Sequence, residues 1–263
     1  LWHQPRQWTR NLRLAWKYWR GTGTRLWFQR PAWHCAAWNT CGPLPAVPNT
    51  MKTHAAPLSQ WPLHKRLTLP FQARLRRAHR LFRSFPACPY ETFLDVGAYE
   101  GEFTDSLLAY FTPQHVWLVE ADPEQAAALQ RKYAVEPRCH VIPAAVSDRS
   151  GTAEFRVNEH RPSSSLVPIA AQTAGIFNKS MSEARTVRVP AVSLDDLFQQ
   201  HKLPVIDLMK VDIQGAERLL IAGGQRALTQ VRQLFVEVWF EECYRGAALF
   251  PELHNLLTPL GFK

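Results

Sequence analysis

Cysteine is scarce in this 263-residue sequence, and its spacing forms no recognisable site. The five cysteines include no C-x-x-C pair and no group with the spacing of zinc ligands. They are Cys35, Cys41, Cys88, Cys139 and Cys243. A disulfide framework and a structural zinc site are therefore disfavoured. We expect free thiols in a reducing compartment and no bound metal.

Long apolar runs are also missing. None approaches the roughly 18 residues that a helix needs to cross a bilayer. The N-terminal residues also lack the apolar core of a signal peptide. These two absences predict a cytoplasmic protein without a transmembrane segment.

Acidic residues are absent from the first third of the chain. Residues 1–90 contain 15 Lys/Arg and no Asp or Glu, whereas residues 91–263 contain 16 Lys/Arg and 22 Asp/Glu. The formal charge of +9 is thus the sum of +15 and −6. Seven of the ten Trp also precede residue 39. A basic, aromatic arm of this kind can bind nucleic acid or an anionic membrane surface.

The alternative is that this arm has no binding role. Residues 1–66 are then a basic, Trp- and Pro-rich extension, either disordered or the product of a misplaced start site, and nucleic acid is the less favoured partner. A single catalytic domain is predicted to fill residues 67–263. A helix over 71–85 is expected to lead into it, since apolar residues recur there at helical spacing and the interleaved arginines suit a solvated face.

The G-x-G-x-x-G signature of dinucleotide-binding folds is missing as well, and a related pattern stands in its place. A short apolar strand ends at Asp95, and Gly97 and Gly101 follow on the turn into a helix. Glycine allows positive φ and close approach of the backbone to a ligand. The next apolar strand ends at Glu120, whose carboxylate could accept two hydrogen bonds from a ribose diol.

The carboxylate inside this turn separates two cofactor classes. Asp95 would repel a pyrophosphate, so an NAD-type oxidoreductase is the weaker reading. It suits a ligand with a cationic amino group, such as the amino-acid end of S-adenosylmethionine. A helix-capping Asp beside a turn glycine is the structural alternative.

Several segments, taken in order, resemble the successive blocks of the FkbM family of S-adenosylmethionine-dependent methyltransferases. They are FLDVGAYEG, VEADP, AAVSDRSGTAEF, SSSL, VSLDDL, IDLMKVDIQGAE and FVEVWFEECYRG. The similarity covers residues 92–263. It implies an α/β class I methyltransferase fold, a Rossmann-like, mostly parallel sheet flanked by helices. It also implies methyl transfer to a hydroxyl oxygen of a sugar or natural product.

The resemblance extends to particular residues. Position alone places Asp148 against the adenine amino group, although a turn Asp before Ser150-Gly151 is almost as good a description. SSSL, at residues 163–166, belongs to a predicted long loop over the pocket, near the acceptor. The expected cofactor-binding residues are Asp95, Gly97, Ala98, Gly101, Glu120 and Asp148.

Two further carboxylates are the candidates for orienting the acceptor. Asp212 follows an apolar strand, and Glu237 lies in the next strand. An ion-pair network with Lys210 and Glu217 that only shapes the turn is the competing account. The family commonly has Glu where this chain has Gln214, so a metal or general-base role is not carried over to that position.

The resemblance leaves a gap at the C-terminus. A class I sheet normally closes with an antiparallel hairpin after the helix that is predicted over 250–260, but the sequence stops at Lys263. We therefore expect a truncated hairpin and an exposed sheet edge.

Three function classes follow. The leading one is an S-adenosylmethionine-dependent O-methyltransferase acting on a small-molecule or saccharide acceptor. The others are an NAD-type oxidoreductase and a non-catalytic binder of polyanions or membranes acting through the basic arm. The sequence does not set the acceptor or the oligomeric state.

Overall fold

The computed structural model describes residues 90–171, 173 and 182–263, together with Phe82, Phe85 and the backbone of residues 24–29. Nine strands form within these residues. In chain order they are β1 (Thr24–Gln29), β2 (Thr92–Val96), β3 (His115–Glu120), β4 (Cys139–Pro143), β5 (Ala145–Ser147), β6 (Gly151–Asn158), β7 (Glu183–Ser193), β8 (Ile206–Val211) and β9 (Val231–Val238).

Six of the strands form the central sheet. Their order is β1-β9-β8-β2-β3-β4. All neighbours are parallel except β1, which runs antiparallel to β9. A mostly parallel sheet flanked by helices is the Rossmann-like α/β architecture, so the predicted fold class is confirmed.

Five helices lie within the described ranges. They are α1 (Glu102–Tyr110), α2 (Pro123–Tyr133), α3 (Leu194–His201), α4 (Glu217–Ala222) and α5 (Phe250–Leu257). Local sequence explains where two of them begin. The Asp122 side chain accepts the N–H of Glu124 at 3.0 Å, with Pro123 in the first turn of α2, and Ser193 likewise caps α3 through Asp196 N–H.

The strands of the central sheet are apolar almost throughout because both faces are covered. In β2, Phe93 packs in one cluster with Leu107 of α1 and Leu129 of α2. The next residue, Leu94, belongs to the other cluster, with Leu197 of α3 and residues of α4 and α5. Successive side chains of a strand point to opposite faces, so a strand buried on both sides reads as a continuous apolar run.

The edge of β9 differs from the expectation. Thr24–Gln29 pairs with it along six residues, from Thr24 opposite Val238 to Gln29 opposite Gln233. The expectation of an exposed edge at β9 is therefore wrong, because an N-terminal strand supplies the antiparallel neighbour that a C-terminal hairpin would supply. No strand follows β9 in residues 239–263. The division into an extension over 1–66 and a domain over 67–263 stays a prediction.

A second, three-stranded sheet is inserted between β4 and β8. Its order is β5-β7-β6, with β6 and β7 antiparallel. The loop between β6 and β7, predicted over 160–182, begins with a 3-10 turn at Arg161–Ser163. It returns to the domain through bridges from Ser165 to Arg156 and from Ile169 to Tyr244.

Three predictions from the sequence fall wholly or partly outside these ranges. Of the helix over 71–85, only Phe82 and Phe85 are described, and their rings meet edge to face at 5.1 Å. Cys139 and Cys243 form no disulfide, and the other three cysteines lie outside the description. None of the described helices has the length and apolarity needed to span a membrane.

Candidate active site

Four buried or half-buried carboxylates gather at the carboxyl ends of the central strands. Asp95 and Glu120 lie at the ends of β2 and β3, Asp212 directly follows β8, and Glu237 is the penultimate residue of β9. In an open parallel sheet, this edge faces the ligand crevice. The fold therefore brings these four predicted residues to one side of the molecule.

Asp95 is almost completely buried and fully engaged by its own chain. Its Oδ2 accepts the Thr104 hydroxyl of α1 at 2.7 Å, and its Oδ1 lies 3.1 Å from the Lys210 ammonium. Thr104 is also fully buried. Asp95 thus ties the first turn of α1 to β8.

Lys210 joins three oxygens. Its Nζ donates to the carbonyl of Gly97 at 2.5 Å and lies 3.1 Å from Asp95 and 3.9 Å from Asp212. An ion-pair network of Lys210 and Glu217 around Asp212 is the alternative from the sequence; Lys210 pairs with Asp212 and Asp95, whereas no ion pair of Glu217 occurs in the described residues. Asp95, Lys210 and Asp212 together carry a net charge of −1, so the crevice stays attractive to a cationic ligand.

The two turn glycines serve the protein's own packing. Gly97 has φ +77°, and a Cβ on it would lie 2.0 Å from the Asp212 carbonyl oxygen. Gly101 has φ +74°, and a Cβ there would lie 2.5 Å from the Tyr133 hydroxyl. Both positions require glycine for two independent reasons, and both contacts are intramolecular.

The turn also aims a backbone donor at Glu120. The N–H groups of Gly97 and Ala98 both bind the carbonyl of Val119, which locks the turn onto β3. Tyr99 adopts a φ of +49° and donates its N–H to Glu120 Oε2 at 2.6 Å. Asp122 N–H donates to Oε1 at 2.8 Å.

These contacts fix the electrostatics of Glu120. Burial raises the pKa of its carboxyl, while the two N–H donors and the charge of Lys210 act in the opposite direction. Each carboxylate oxygen can accept two hydrogen bonds, so Glu120 keeps acceptor capacity for a diol while its orientation is fixed.

The loop that begins at Arg161 is anchored near Glu120, at the start of α2. Arg161 binds Asp122 at 2.7 Å and Glu124 at 3.1 Å, both at the start of α2. Asp122 is 4% exposed, so its pairing with Arg161 is largely shielded from water. The loop that carries Ser163 is thus held to the start of α2.

Asp212 and Glu237 share one partner, the carboxamide of Gln214. Gln214 Nε2 lies 2.7 Å from Asp212 Oδ1 and 2.6 Å from Glu237 Oε2. The register of the parallel strands, Val211 opposite Val236, places the two carboxylates side by side. Two carboxylates that share one hydrogen-bond partner repel each other, and a donor between them reduces this repulsion.

Tyr244 lies under this group and is completely buried. Its hydroxyl lies 2.6 Å from Gln214 Oε1 and 3.0 Å from the carbonyl of Ser163. Gly215, at φ +91°, allows the ring to approach, since a Cβ there would lie 2.5 Å from the Cβ of Tyr244. The aromatic ring thus connects the loop that carries Ser163 to the turn after β8.

Glu217 is the remaining carboxyl at this turn. It is 2% exposed, and its Oε1 accepts the N–H of Gly215 at 3.3 Å. Oε2 is buried without a hydrogen-bond partner among the described residues. Burial, with a smaller contribution from Asp212, raises the pKa of Glu217 to about 7.

Asp148 does not join the other predicted cofactor residues through any described contact. It is exposed, and its side chain accepts the Ser147 hydroxyl at 3.1 Å. A Cβ on Gly223, directly after α4, would lie 2.9 Å from its carbonyl oxygen. Since α4 starts near Asp212 and runs away from it, Asp148 lies toward the far end of that helix. Its adenine role stays a prediction.

Sequence reasoning missed the residues that connect the carboxylates. These residues are Gln214, whose amide bridges Asp212 and Glu237, and Tyr244, whose hydroxyl contacts that amide. Both lie in the blocks that carry the family resemblance, and that was the available signal. No set of three His, Cys, Asp or Glu side chains in the described residues is arranged to hold a metal ion.

Comparisons with known proteins agree with this architecture. The profile of the methyltransferase FkbM domain matches residues 95–263, and the chain belongs to the FkbM methyltransferase family. The 2-O-methyltransferase NoeI of Sinorhizobium fredii (strain NBRC 101917 / NGR234) is 28% identical over 187 residues, which is 69% of this chain and 76% of NoeI.

Two solved structures are also similar. The methyltransferase FkbM from Methylobacillus flagellatus KT shows 18% identity and a TM-score of 0.45, over 69% of this chain and 41% of that one. This chain therefore spans about two fifths of the length of that protein. The precorrin-6y C5,15-methyltransferase from Geobacter metallireducens GS-15 shows 12% identity and a TM-score of 0.30, over 66% and 65% of the two chains.

Proposed function

We propose that this protein transfers a methyl group from S-adenosylmethionine to a hydroxyl oxygen of a saccharide or natural-product acceptor. One observation carries the proposal. Glu120 is held by two backbone N–H groups at the mouth of the Asp95 to Gly101 turn, on the same sheet edge as the Asp212 and Glu237 pair. A ribose-binding acid and an acceptor-binding pair thus share one crevice.

The residues present fit the cofactor. Glu120 would bind the ribose diol, because its carboxylate is fixed in direction and accepts strong hydrogen bonds. The cationic amino group would meet the net −1 charge of the Asp95, Lys210 and Asp212 network. S-adenosylmethionine, when bound, supplies an electrophilic methyl group on its sulfonium centre.

The acceptor side follows from the remaining carboxylates. Asp212 and Glu237 would orient the acceptor hydroxyl by accepting its O–H, so that the oxygen lone pair points at the methyl carbon. A carboxylate that receives this hydrogen bond also receives the proton as the new C–O bond forms. The 2-O-methyltransferase name of NoeI supports oxygen as the methyl acceptor.

The competing functions have weaker support. An NAD-type oxidoreductase would need a pyrophosphate to approach the turn that contains the Asp95 carboxylate, and the G-x-G-x-x-G spacing is missing. Binding of polyanions or membranes by the basic arm concerns residues outside the description, apart from the backbone of β1, and stays a prediction.

Calorimetric titration of the full chain with S-adenosylmethionine, S-adenosylhomocysteine and NAD tests the cofactor. We expect micromolar binding of the first two, and at least about tenfold weaker binding in Glu120→Ala, which corresponds to about 1.4 kcal/mol. Glu154→Ala, an exposed acid on β6, is the matched control and should bind like the wild type. A folded wild-type protein that binds NAD but neither sulfur compound would contradict the proposal.

Incubation with S-adenosylmethionine carrying an isotopically labelled methyl group then tests the reaction. A panel of monosaccharides, oligosaccharides and hydroxylated natural products is offered as acceptors, and mass spectrometry with fragmentation locates the label. Label on a hydroxyl oxygen supports the proposal. Label on nitrogen or carbon would redirect it to another methyltransferase class.

A further inference from the structure

The carboxamide of Gln214 contacts the carboxylates of both Asp212 and Glu237. Its NH₂ group lies 2.7 Å from Asp212 Oδ1 and 2.6 Å from Glu237 Oε2. A primary amide has two N–H donors, so one can be given to each carboxylate. The two acids come from neighbouring strands, and Gln214 is positioned between them by the turn after β8.

The orientation of this amide is fixed by chemistry. If the carboxamide were reversed, its oxygen would face two carboxylate oxygens at hydrogen-bond distance, and all three groups would be acceptors. In the observed orientation, the amide oxygen instead lies 2.6 Å from the Tyr244 hydroxyl, which can donate to it. The Tyr244 hydroxyl has one proton, and giving it to the amide oxygen, the shorter of its two contacts, is compatible with the orientation in which Gln214 donates to both acids.

The backbone at Gln214 is also unusual. Its φ is +55°, a region that residues other than glycine rarely adopt. Gly215 follows at φ +91° and accommodates the Tyr244 ring. Strained backbone of this kind persists where the surrounding contacts determine it, and it is concentrated at functional sites.

Other charged and titratable groups face this pair from each neighbouring element. Lys210 of β8 lies 3.9 Å from Asp212. The charge of Asp212 contributes to the raised pKa of Glu217 in α4. Burial, and then the charges of Glu237, Asp212 and Glu217, raise the pKa of Tyr244. The two N–H donors of Gln214 thus add to the stabilisation that the charge of Lys210 gives to Asp212.

We propose that Gln214 is a positioning residue for methyl transfer, which holds Asp212 and Glu237 ionised and side by side so that they can orient the acceptor hydroxyl. Tyr244 supports it by fixing the amide. The inference rests on the proposed function for its catalytic consequence. The protonation of the two carboxylates can be measured as a function of pH without cofactor or acceptor.

The test uses three variants of the full chain. Gln214→Met keeps the length of the side chain and removes both donors, and Gln214→Glu adds a third carboxylate in place of the donors. Tyr244→Phe keeps the ring that packs on Gly215 and removes only the hydroxyl that orients the amide. Circular dichroism and S-adenosylmethionine affinity establish that each variant is folded with an intact cofactor site.

The first readout is a ¹³C-carboxyl NMR titration, with the two resonances assigned through Asp212→Asn and Glu237→Gln. We expect the apparent titration midpoint of the pair to rise by at least about one pH unit in Gln214→Met and further in Gln214→Glu. Tyr244→Phe should give a smaller rise. Folded variants whose midpoints equal those of the wild type would overturn the inference.

The second readout is kcat as a function of pH. In Gln214→Met we expect at least about a tenfold loss of kcat at neutral pH, partly recovered at higher pH, with the affinity for S-adenosylmethionine within about threefold of the wild type. A shifted midpoint with unchanged kcat would overturn the positioning role. A wild-type protein that neither binds S-adenosylmethionine nor transfers methyl groups would contradict the proposed function, while the NMR titration would still judge the effect of Gln214 on the pair.

Discussion

Lys210 Nζ lies 3.1 Å from Asp95 Oδ1, and the two residues face each other directly across β8 and β2. Their side chains are 6% and 2% exposed. The sequence predicts Asp95 as the partner of a cationic cofactor group, yet the charge of Asp95 is already matched within the protein. Asp95 is therefore one member of a charged network rather than an isolated carboxylate.

Removal of the Lys210 charge should strongly destabilise the domain. Lys210→Met leaves Asp95 buried beside an apolar chain, and breaking a buried pair in this way costs roughly 3–5 kcal/mol. The double variant Asp95→Asn/Lys210→Met removes both charges and should recover part of the loss. Urea denaturation measures the wild type, the single variants Asp95→Asn and Lys210→Met, and the double variant. A double variant as unstable as the sum of its single variants would show that the two charges are not coupled.

Glu217 predicts a pH dependence of stability. Its carboxyl has a pKa of about 7 in the fold, against an ordinary pKa of 4.5 that represents the unfolded chain. Between these values the folded protein keeps a proton that the unfolded chain has lost, so the free energy of unfolding falls as the pH rises from 4.5 to 7.

The corresponding loss, complete above the folded pKa, is about 3 kcal/mol at roughly 1.4 kcal/mol per unit of pKa difference. Glu217→Gln removes it, so stability at pH 8 should exceed that of the wild type while the two proteins differ little at pH 4.5. Denaturant titrations at several pH values provide the measurement. Exposed Glu154→Gln is the control, and identical pH profiles for Glu217→Gln and the wild type would count against a neutral buried carboxyl.

Gly246 and Gly97 have similar backbone conformations, but only Gly97 has close neighbours. Substituting each by Ala therefore distinguishes the cost of backbone strain from the cost of steric overlap. Gly246 has φ +72°, and a Cβ there meets nothing within 4 Å, whereas Gly97 has φ +77° and a Cβ 2.0 Å from the Asp212 carbonyl oxygen. Gly246→Ala should cost about 1–2 kcal/mol from the left-handed conformation alone. Gly97→Ala should cost at least about 2 kcal/mol more and reduce methyl transfer, because Asp212 must move. Equal losses would mean that the turn relaxes without disturbing β8.

Removing strand β1 should destabilise the central sheet, because β1 pairs with β9. Deletion of residues 1–50 removes the neighbour of β9 and exposes its N–H and C=O groups, so we expect a lower Tm and concentration-dependent association. Deletion of residues 1–20 retains Thr24–Gln29 and is the matched control. Calorimetry and size-exclusion chromatography compare the two. Indistinguishable behaviour would show that β1 contributes little to the sheet.

Much of the fold could be predicted because it depends on local patterns. The apolar run at Phe93 and the Asp122-Pro123 helix start are readable from neighbouring residues alone. The edge of β9 was not predictable in this way. Its partner lies more than 200 residues earlier in the chain, within a segment whose composition suggests no structure.

The candidate site shows the same limit. Glu120, Asp212 and Glu237 could be placed at strand ends because strand direction decides where they lie. The bridge through Gln214 depends on side-chain geometry between residues 23 apart, and the Tyr244 contact with Ser163 spans 81 residues. Spacing in the sequence carries no information on such contacts, so the sequence suggested a lost charge at Gln214 where the structure shows a shared donor.

The pairing of β1 with β9 also sets an order of events during synthesis. Thr24 pairs with Val238, so the ribosome must add about 200 residues before β1 meets its neighbour. At about 5–20 residues per second, this interval is on the order of 10–40 s. For that time β1 is without the strand that it pairs with in the completed sheet. The edge that completes the sheet is therefore the last one to close.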